Sequence, residues 1–201
     1  MSKVKFNICN GHVAKKITAQ NGAVSYDTPF AVPGSVSLAL EAQGEISPFY
    51  ADGIVYYKSS SNSGYEGDWE VALVTDEFRK TILKEFLDAN GVLIEKMGVN
   101  PEEFAFGFQI DGDGKSTRFW FYNCTATRPA AGGSTTEATK NPETETLSIS
   151  ATSEKVIPGS DDYVVRAKTT DQTDLTKYEN WFDAVYIPSA SEYASGTGTG
   201  Q

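Results

Sequence analysis

The chain is poor in the residues that most chemistry needs. Its 201 residues include one histidine, His12, and two cysteines, Cys9 and Cys124. A four-ligand zinc site would have to add a carboxylate, and no CxxC or HxxxH spacing supports one. A Ser-His-Asp arrangement would have to use His12, whose neighbourhood holds no nucleophile elbow of the GxSxG kind. Paired acids occur at Glu102-Glu103 and Asp161-Asp162. Adjacent residues on a strand point to opposite faces, so neither pair converges on one substrate without help. A distant carboxylate pair of glycosidase type is the enzymatic arrangement left open. The expectation is a protein without catalytic residues, metal or cofactor.

Positive charge is also scarce. Lys+Arg 17 against Asp+Glu 27 gives a formal charge of −10. A nucleic-acid binder would show a basic patch or stripe instead. The same balance suits a protein that must keep DNA from sticking. No apolar run reaches the roughly 18 residues of a membrane span, so no membrane partner is expected. The opening "MSKVKFNICN" lacks the apolar stretch of a secretory signal. The expected place of synthesis is a cytoplasm, where both cysteines would be reduced thiols packed as small hydrophobes.

Against these absences stands a surplus of strand signals. "IDGDGKSTRFWFY" (110–122) could be a calcium loop, the end of a phosphate loop, or a turn. An EF-hand starting at Asp111 would meet Lys115, Ser116 and Tyr122 at its fifth, sixth and twelfth positions, where it needs an oxygen ligand, Gly and Glu. A phosphate loop needs glycine where Gln109 stands. A turn fits both flanks: Phe104, Phe106, Phe108 and Ile110 alternate going in, and aromatics dominate from Phe119 to Tyr122 coming out. Alternation also marks 35–42, with Val36, Leu38 and Leu40 on one face, and 68–74, with Trp69, Val71 and Leu73. Further strands are expected at 147–151, 163–168 and 183–187, and 54–58 is either a strand or the stem of a long loop.

One helix is expected over about 75–89. Thr75 caps its start, Asp76 and Glu77 suit the positive end of its dipole, and Phe78, Ile82, Leu83, Phe86 and Leu87 form an apolar stripe. Asn90-Gly91 would stop it. A shorter helix is expected near 174–180. The sum is a mainly β chain, an antiparallel β-sandwich or barrel with one flanking α-helix. One domain would span 1–188, with long loops at 43–67 and 128–146 and a flexible Ser/Gly/Thr-rich tail at 189–201.

The faces opposite the expected core are small, polar or acidic: Ser35, Ser37, Ala39 and Glu41; Asp68, Glu70, Ala72 and Val74; Glu103, Ala105, Gly107, Gln109 and Asp111. None carries Lys or Arg, whereas an ordinary wet face mixes both signs. Such a sheet suits a surface along which a polyanion slides without binding.

In order and spacing the chain resembles the major tail proteins, or tail-tube proteins, of long-tailed bacteriophages. The likeness is carried by "VPGSVSLALEAQGE" at 32–45, "YADGIVYY" at 50–57, "GYEGDWEVALVTDEFRKTILKEF" at 64–86, "EFAFGFQIDGDGKSTRFWFYNCTATRP" at 103–129, "TETLSISATS" at 144–153 and "YENWFDAVYIP" at 178–188. The resemblance implies a structural virion protein with the tail-tube fold. Six copies would form a ring, and stacked rings would make the tube that delivers double-stranded DNA to the host. The partners implied are other copies, other phage tail proteins, and DNA in transient, non-adhesive passage. Glu41, Glu70, Glu103 and Asp111 are then the expected lumen charges. Phe49, Tyr50, Tyr56 and Tyr57 in the 43–67 loop, with the N-terminal arm (1–30) and the 128–146 loop, would bridge stacked rings. The alternative from another class is a carbohydrate-binding β-sandwich using Trp69, Trp120, Trp181 or some of the ten tyrosines.

Overall fold

The computed structural model describes residues 3–135 and 142–196. Its strands, in chain order, are β1 (Lys5–Thr18), β2 (Val24–Tyr26), β3 (Phe30–Ala31), β4 (Ser35–Gln43), β5 (Ile46–Ala51), β6 (Ile54–Ser60) and β7 (Gly64–Val71). After helix α1 (Asp76–Thr81) come β8 (Phe86–Leu87), β9 (Leu93–Ile94), β10 (Phe104–Gly112), β11 (Thr117–Ala126), β12 (Glu145–Thr152) and β13 (Arg166–Lys168). Two short helices follow, α2 (Leu175–Glu179) and α3 (Ala190–Gly196). The main sheet is antiparallel and runs β2-β1-β10-β11-β12-β7-β4, with β3 paired to β1 and β13 paired to β11.

The sheet folds over on itself. Trp69 of β7 packs 4.5 Å from Phe106 of β10, although β11 and β12 lie between those strands in the sheet. Tyr65 meets Phe121 edge-on at 5.2 Å in the same way. Phe104, Phe106 and Phe108 therefore point into an enclosed core with Leu147, Ile149 and Val13, and Phe78, Ile82 and Leu83 join it from the α1 segment. Full burial of each such side chain contributes about 1.5–3 kcal/mol before the entropy of ordering it. The expected mainly β sandwich with a flanking helix is the observed architecture.

The other face of β1, β10 and β11 carries a second apolar layer. Ala14, Ala105, Trp120 and Tyr122 are covered there by Val156, Ile157 and Trp181 of the C-terminal segment. Trp120 can lie flat on β10 only because its neighbour is Gly107, where a Cβ would sit 2.7 Å from the indole. Trp120 Nε1 donates to the Trp181 carbonyl at 2.9 Å, and the Tyr122 hydroxyl donates to the Tyr186 carbonyl at 2.8 Å. A side chain thus occupies the Tyr186 carbonyl, and 183–187 is irregular instead of the strand its alternation suggests. Of the strand expected over 163–168, Arg166–Lys168 form β13 and Val164 makes an isolated bridge to Glu154.

Helix α1 is shorter than its stripe implies. Thr75 caps it as expected, its hydroxyl accepting from Phe78 N–H, but the helix ends at Thr81. The Ile82 carbonyl accepts from Glu102 N–H at 2.8 Å, and Lys84 takes a left-handed backbone (φ 58°). That turn lets both Ile82 and Leu83 enter the core, and it carries Phe86 and Leu87 out onto an exposed two-stranded hairpin, β8–β9. Asn90-Gly91 is the turn of that hairpin, not a helix stop.

Two expected core residues lie outside. Val36 is 50% exposed because it is the extra residue of a bulge, Ser35 pairing with Val71 and Ser37 with Glu70. Leu73 is 66% exposed because β7 stops at Val71, and Val74, expected outside, is buried. The N-terminal segment is the long strand β1, joined to β10 from Lys5 to Lys15 rather than a free arm. Both cysteines are free thiols; Cys124 is buried, which pushes its thiol pKa up, and Cys9 is half-buried. At the C-terminus Ala190–Gly196 are helical, and the rest of the expected tail lies outside the described residues.

Phe106→Ala should lower unfolding stability by about 3–5 kcal/mol, whereas Val36→Ala should change it by less than about 0.5 kcal/mol. Urea denaturation of both variants checks the inside-outside assignment that the bulge imposes.

Candidate functional site: an acidic sheet face and an exposed aromatic hairpin

Directly opposed residues of antiparallel strands share a face. On the outer face of β4, β7 and β12 this gives three in-register rows: Ser37, Glu70 and Thr146; Ala39, Asp68 and Ser148; Glu41, Glu66 and Ser150. Thr125 of β11 continues the last row. On β4, Ser37, Ala39 and Glu41 face outward by alternation with Leu38 and Leu40, which pack on the core. A second bulge, Tyr122 and Asn123 opposite Ala105, turns Thr125 onto the same face. No lysine or arginine stands in these rows.

Carboxylates and hydroxyls are tied together here. Glu70 accepts from Thr144 Oγ1 at 2.6 Å and Ser37 Oγ at 2.8 Å, and Asp68 accepts from Ser148 Oγ at 2.7 Å. The Thr144 and Ser37 hydroxyls hold the Glu70 pKa below the usual carboxylate range. Glu41 and Glu66 face each other directly, a like-charge pair that costs stability in a sheet. A depression of about 350 Å³ is lined by Glu66, Gly67, Asp68, Thr125, Thr127 and Ser150, among others. Among the described residues, no group of three His, Cys, Asp or Glu is placed to hold a metal ion.

The expected lumen charges separate into two pairs. Glu41 and Glu70 stand on the bare face. Glu103 lies farther along the sheet, in an ion pair at 2.7 Å with Lys16, which also bonds Glu154 and Asn123. The face is therefore not free of lysine near β1 and β10, and Ala105 and Gly107 are covered by the second apolar layer. Asp111 is at the hairpin end, accepting from Gln109, Ser116 and Asn7, which holds its pKa low. Glu66 and Asp68 take the places of Glu103 and Asp111 beside Glu41 and Glu70. Glu66 was legible by extending the alternation of β7 two residues back from Asp68, through Gly67.

The 43–67 segment is a hairpin, not a loop. Ser63 N–H donates to the Gln43 carbonyl at 2.8 Å and Ser61 N–H to the Glu45 carbonyl at 3.0 Å, so β5 and β6 prolong the β4–β7 pair. Its tip is Asp52-Gly53, both with positive φ (52° and 78°), the geometry of a tight two-residue hairpin turn. Phe49 is opposite Tyr57, and Tyr56 is an extra, bulged residue between Tyr57 and Val55. Phe49, Tyr50, Ile54, Tyr56 and Tyr57 are each 61–72% exposed. A two-stranded hairpin covered on neither face is marginal by itself.

The remaining candidates are structural. His12 stacks on Phe182 at 4.5 Å. Glu102 pairs with Lys15 and Lys84 while Glu103 pairs with Lys16, each turned to its own partners. Trp69, Trp120 and Trp181 are all buried, whereas Tyr50, Tyr56, Tyr57 and Tyr163, of the tyrosines named for the sugar-binding alternative, are exposed. Of the 128–146 loop, residues 136–141 lie outside the described residues. No helix among the described residues is long and apolar enough to cross a membrane. No family model and no curated protein matches the chain.

The depressed Glu70 pKa sets the sign of a pH effect. Its hydroxyl bonds favour the folded carboxylate, so their contribution is present above the unfolded pKa and lost as pH falls through the folded one. Urea midpoints at pH 7 and about pH 3 should therefore diverge less in a Ser37→Ala/Thr144→Ala variant than in the parent. Equal divergence would remove Glu70 as the group responsible.

Proposed function

We propose that this chain is a structural subunit that assembles into stacked rings forming a phage tail tube, the conduit for duplex DNA. The observation that carries the reading is the bare outer face of β4, β7 and β12. Three aligned rows present Glu41, Glu66, Asp68 and Glu70 among short hydroxyls, with no cation. The cross-strand Glu41–Glu66 pair is unfavourable within one chain, so its place on an open face fits a surface whose sign matters more than local stability. A wall of this kind repels phosphates and offers no deep well in which DNA would dock. The protruding aromatic hairpin supplies contact surface of the type that dominates interface energetics.

In this reading the lumen charges are Glu41, Glu66, Asp68 and Glu70, and β5–β6 joins one ring to the next. The chain acts without catalysis or cofactor. Its partners are other copies, other tail proteins and passing DNA, and its destination is the virion tail after synthesis in the host cytoplasm. Electron microscopy of the purified protein over a concentration series, with and without tail-tip initiator proteins, should show rings or tubes with a hole wide enough for duplex DNA. Globular particles alone under every condition would end the tube reading.

Two variants test the parts. Virions carrying Glu41→Lys, Glu66→Lys, Asp68→Lys and Glu70→Lys should assemble and eject DNA at least about tenfold more slowly, and normal ejection kinetics would remove the face from the mechanism. Deleting residues 46–60 should leave the thermal midpoint within a few degrees of the parent, because none of the hairpin's described side chains belongs to either core. The same deletion should abolish tubes, and tubes of normal length would refute the bridging role.

A further inference from the structure

Lys16 is the centre of a polar cluster that neither the acidic rows nor the β5–β6 hairpin uses. It stands on β1, and its backbone N–H donates to the carbonyl of Glu103, just ahead of β10, at 2.9 Å. Asn123 of β11 reaches the same face through the bulge it shares with Tyr122. Glu154, from the segment that follows β12, adds a second carboxylate. The Lys16 side chain is only 7% exposed. Its ammonium donates to Glu103 at 2.7 Å, to Glu154, and to Asn123 Oδ1 at 3.0 Å. Asn123 Nδ2 donates to Thr152 Oγ1 at 2.9 Å, which fixes the carboxamide with its oxygen toward the lysine.

We infer that Lys16 and Asn123 are the site of an intramolecular isopeptide bond, with Glu154 as the proton acceptor. An amine held against a carboxamide oxygen lies beside the carbon it would attack, and its burial removes the competing freedom to swing into water. One carboxylate would satisfy the ammonium; the second leaves a base at hand when the proton departs. Burial works against the Lys16 charge, but the bonds from Glu103 and Glu154 outweigh it and hold its pKa up. The step therefore opens inside the cluster, with Lys16 passing one proton to Glu154. The free amine attacks Asn123 Cγ, and the carbonyl π pair moves to Oδ1. As the oxyanion collapses, the Cγ–Nδ2 bond breaks and the second amine proton passes to Nδ2. Ammonia leaves and takes the proton that Glu154 holds. One ammonium side chain and one carboxamide thus give one secondary amide and one ammonium ion, with nothing oxidised or reduced. The bond fastens β1 to β11 across β10.

Intact mass spectrometry of the full chain, as purified and after prolonged incubation, should show a species lighter by one ammonia. Proteolysis should then yield a branched peptide joining Lys16 to Asn123. Lys16→Arg keeps the charge but supplies no neutral amine, and Asn123→Leu removes the acyl group; each should abolish the branched peptide. Glu154→Gln should slow its formation about a hundredfold, the scale of a lost acid-base group. Ammonia is also lost when asparagine cyclises onto a following glycine, a route open to Asn10-Gly11, Asn21-Gly22 and Asn90-Gly91. A mass loss that survives Lys16→Arg and maps to those pairs would overturn the inference. So would a parent chain that keeps its full mass and yields no branched peptide after incubation. Formation at the parent rate in Glu154→Gln would overturn the role of Glu154.

Discussion

Everything else in the molecule depends on the aromatic seam between β7 and β10. Trp69 against Phe106, with Tyr65 edge-on to Phe121 at 5.2 Å, clamps the curled sheet on itself. Contacts of this type add about 0.5–1.5 kcal/mol each beyond the burial of their area. Because the seam fixes what faces inward on β7, the pairing of β7 with β4 and β12 then decides what faces outward there. A slip of one residue would turn Glu66, Asp68 and Glu70 into the core and Trp69 into water. The acidic rows are thus a consequence of the same packing that stabilises the domain.

Bulges refine that arrangement. The one at Val36 turns Ser35 inward, where its hydroxyl accepts from Trp69 Nε1 at 3.2 Å, and leaves Val36 outside, while Glu41 faces outward beside Glu66. The one at Tyr122 and Asn123 divides β11 into two halves. Before it, Trp120 and Tyr122 anchor the C-terminal segment on the outer face; after it, that face passes to Asn123 and Thr125 and stays open. One continuous sheet surface is in this way half covered by an apolar layer and half bare and acidic, with Lys16 and Glu103 on the covered side.

The bare face and the β5–β6 arm differ in chemistry. The face carries short side chains, hydroxyls that satisfy carboxylates, and no cation within its rows. The arm leaves its rings without cover in their own domain, and its two strands lack a third to support them. Both are extensions of the β4–β7 pair, so a contact made by the arm and the position of the acidic face are mechanically linked through one ribbon.

Composition and period by themselves determined the fold class, the turn at 111–116, the Thr75 cap, and the acidic outward alternation of Asp68 and Glu70, because these depend on local backbone preference and on the two-residue repeat of a strand. The aromatic content of the arm was equally legible. What only the tertiary structure decided were the features that a strict repeat cannot carry. An extra residue at Val36 exchanges Ser35 and Val36 between the two faces, and a carbonyl captured by Glu102 N–H ends a helix whose stripe continues. Tryptophan and tyrosine side chains hold 183–187 as a lid in place of a strand. Likewise, Glu103 and Asp111 share the alternation of Glu41 and Glu70, but distant elements gave Glu103 a lysine and left Asp111 among hydrogen-bond donors. The physical reason is common to all of them: alternation specifies which side chains share a strand face, and packing against distant segments specifies what that face meets.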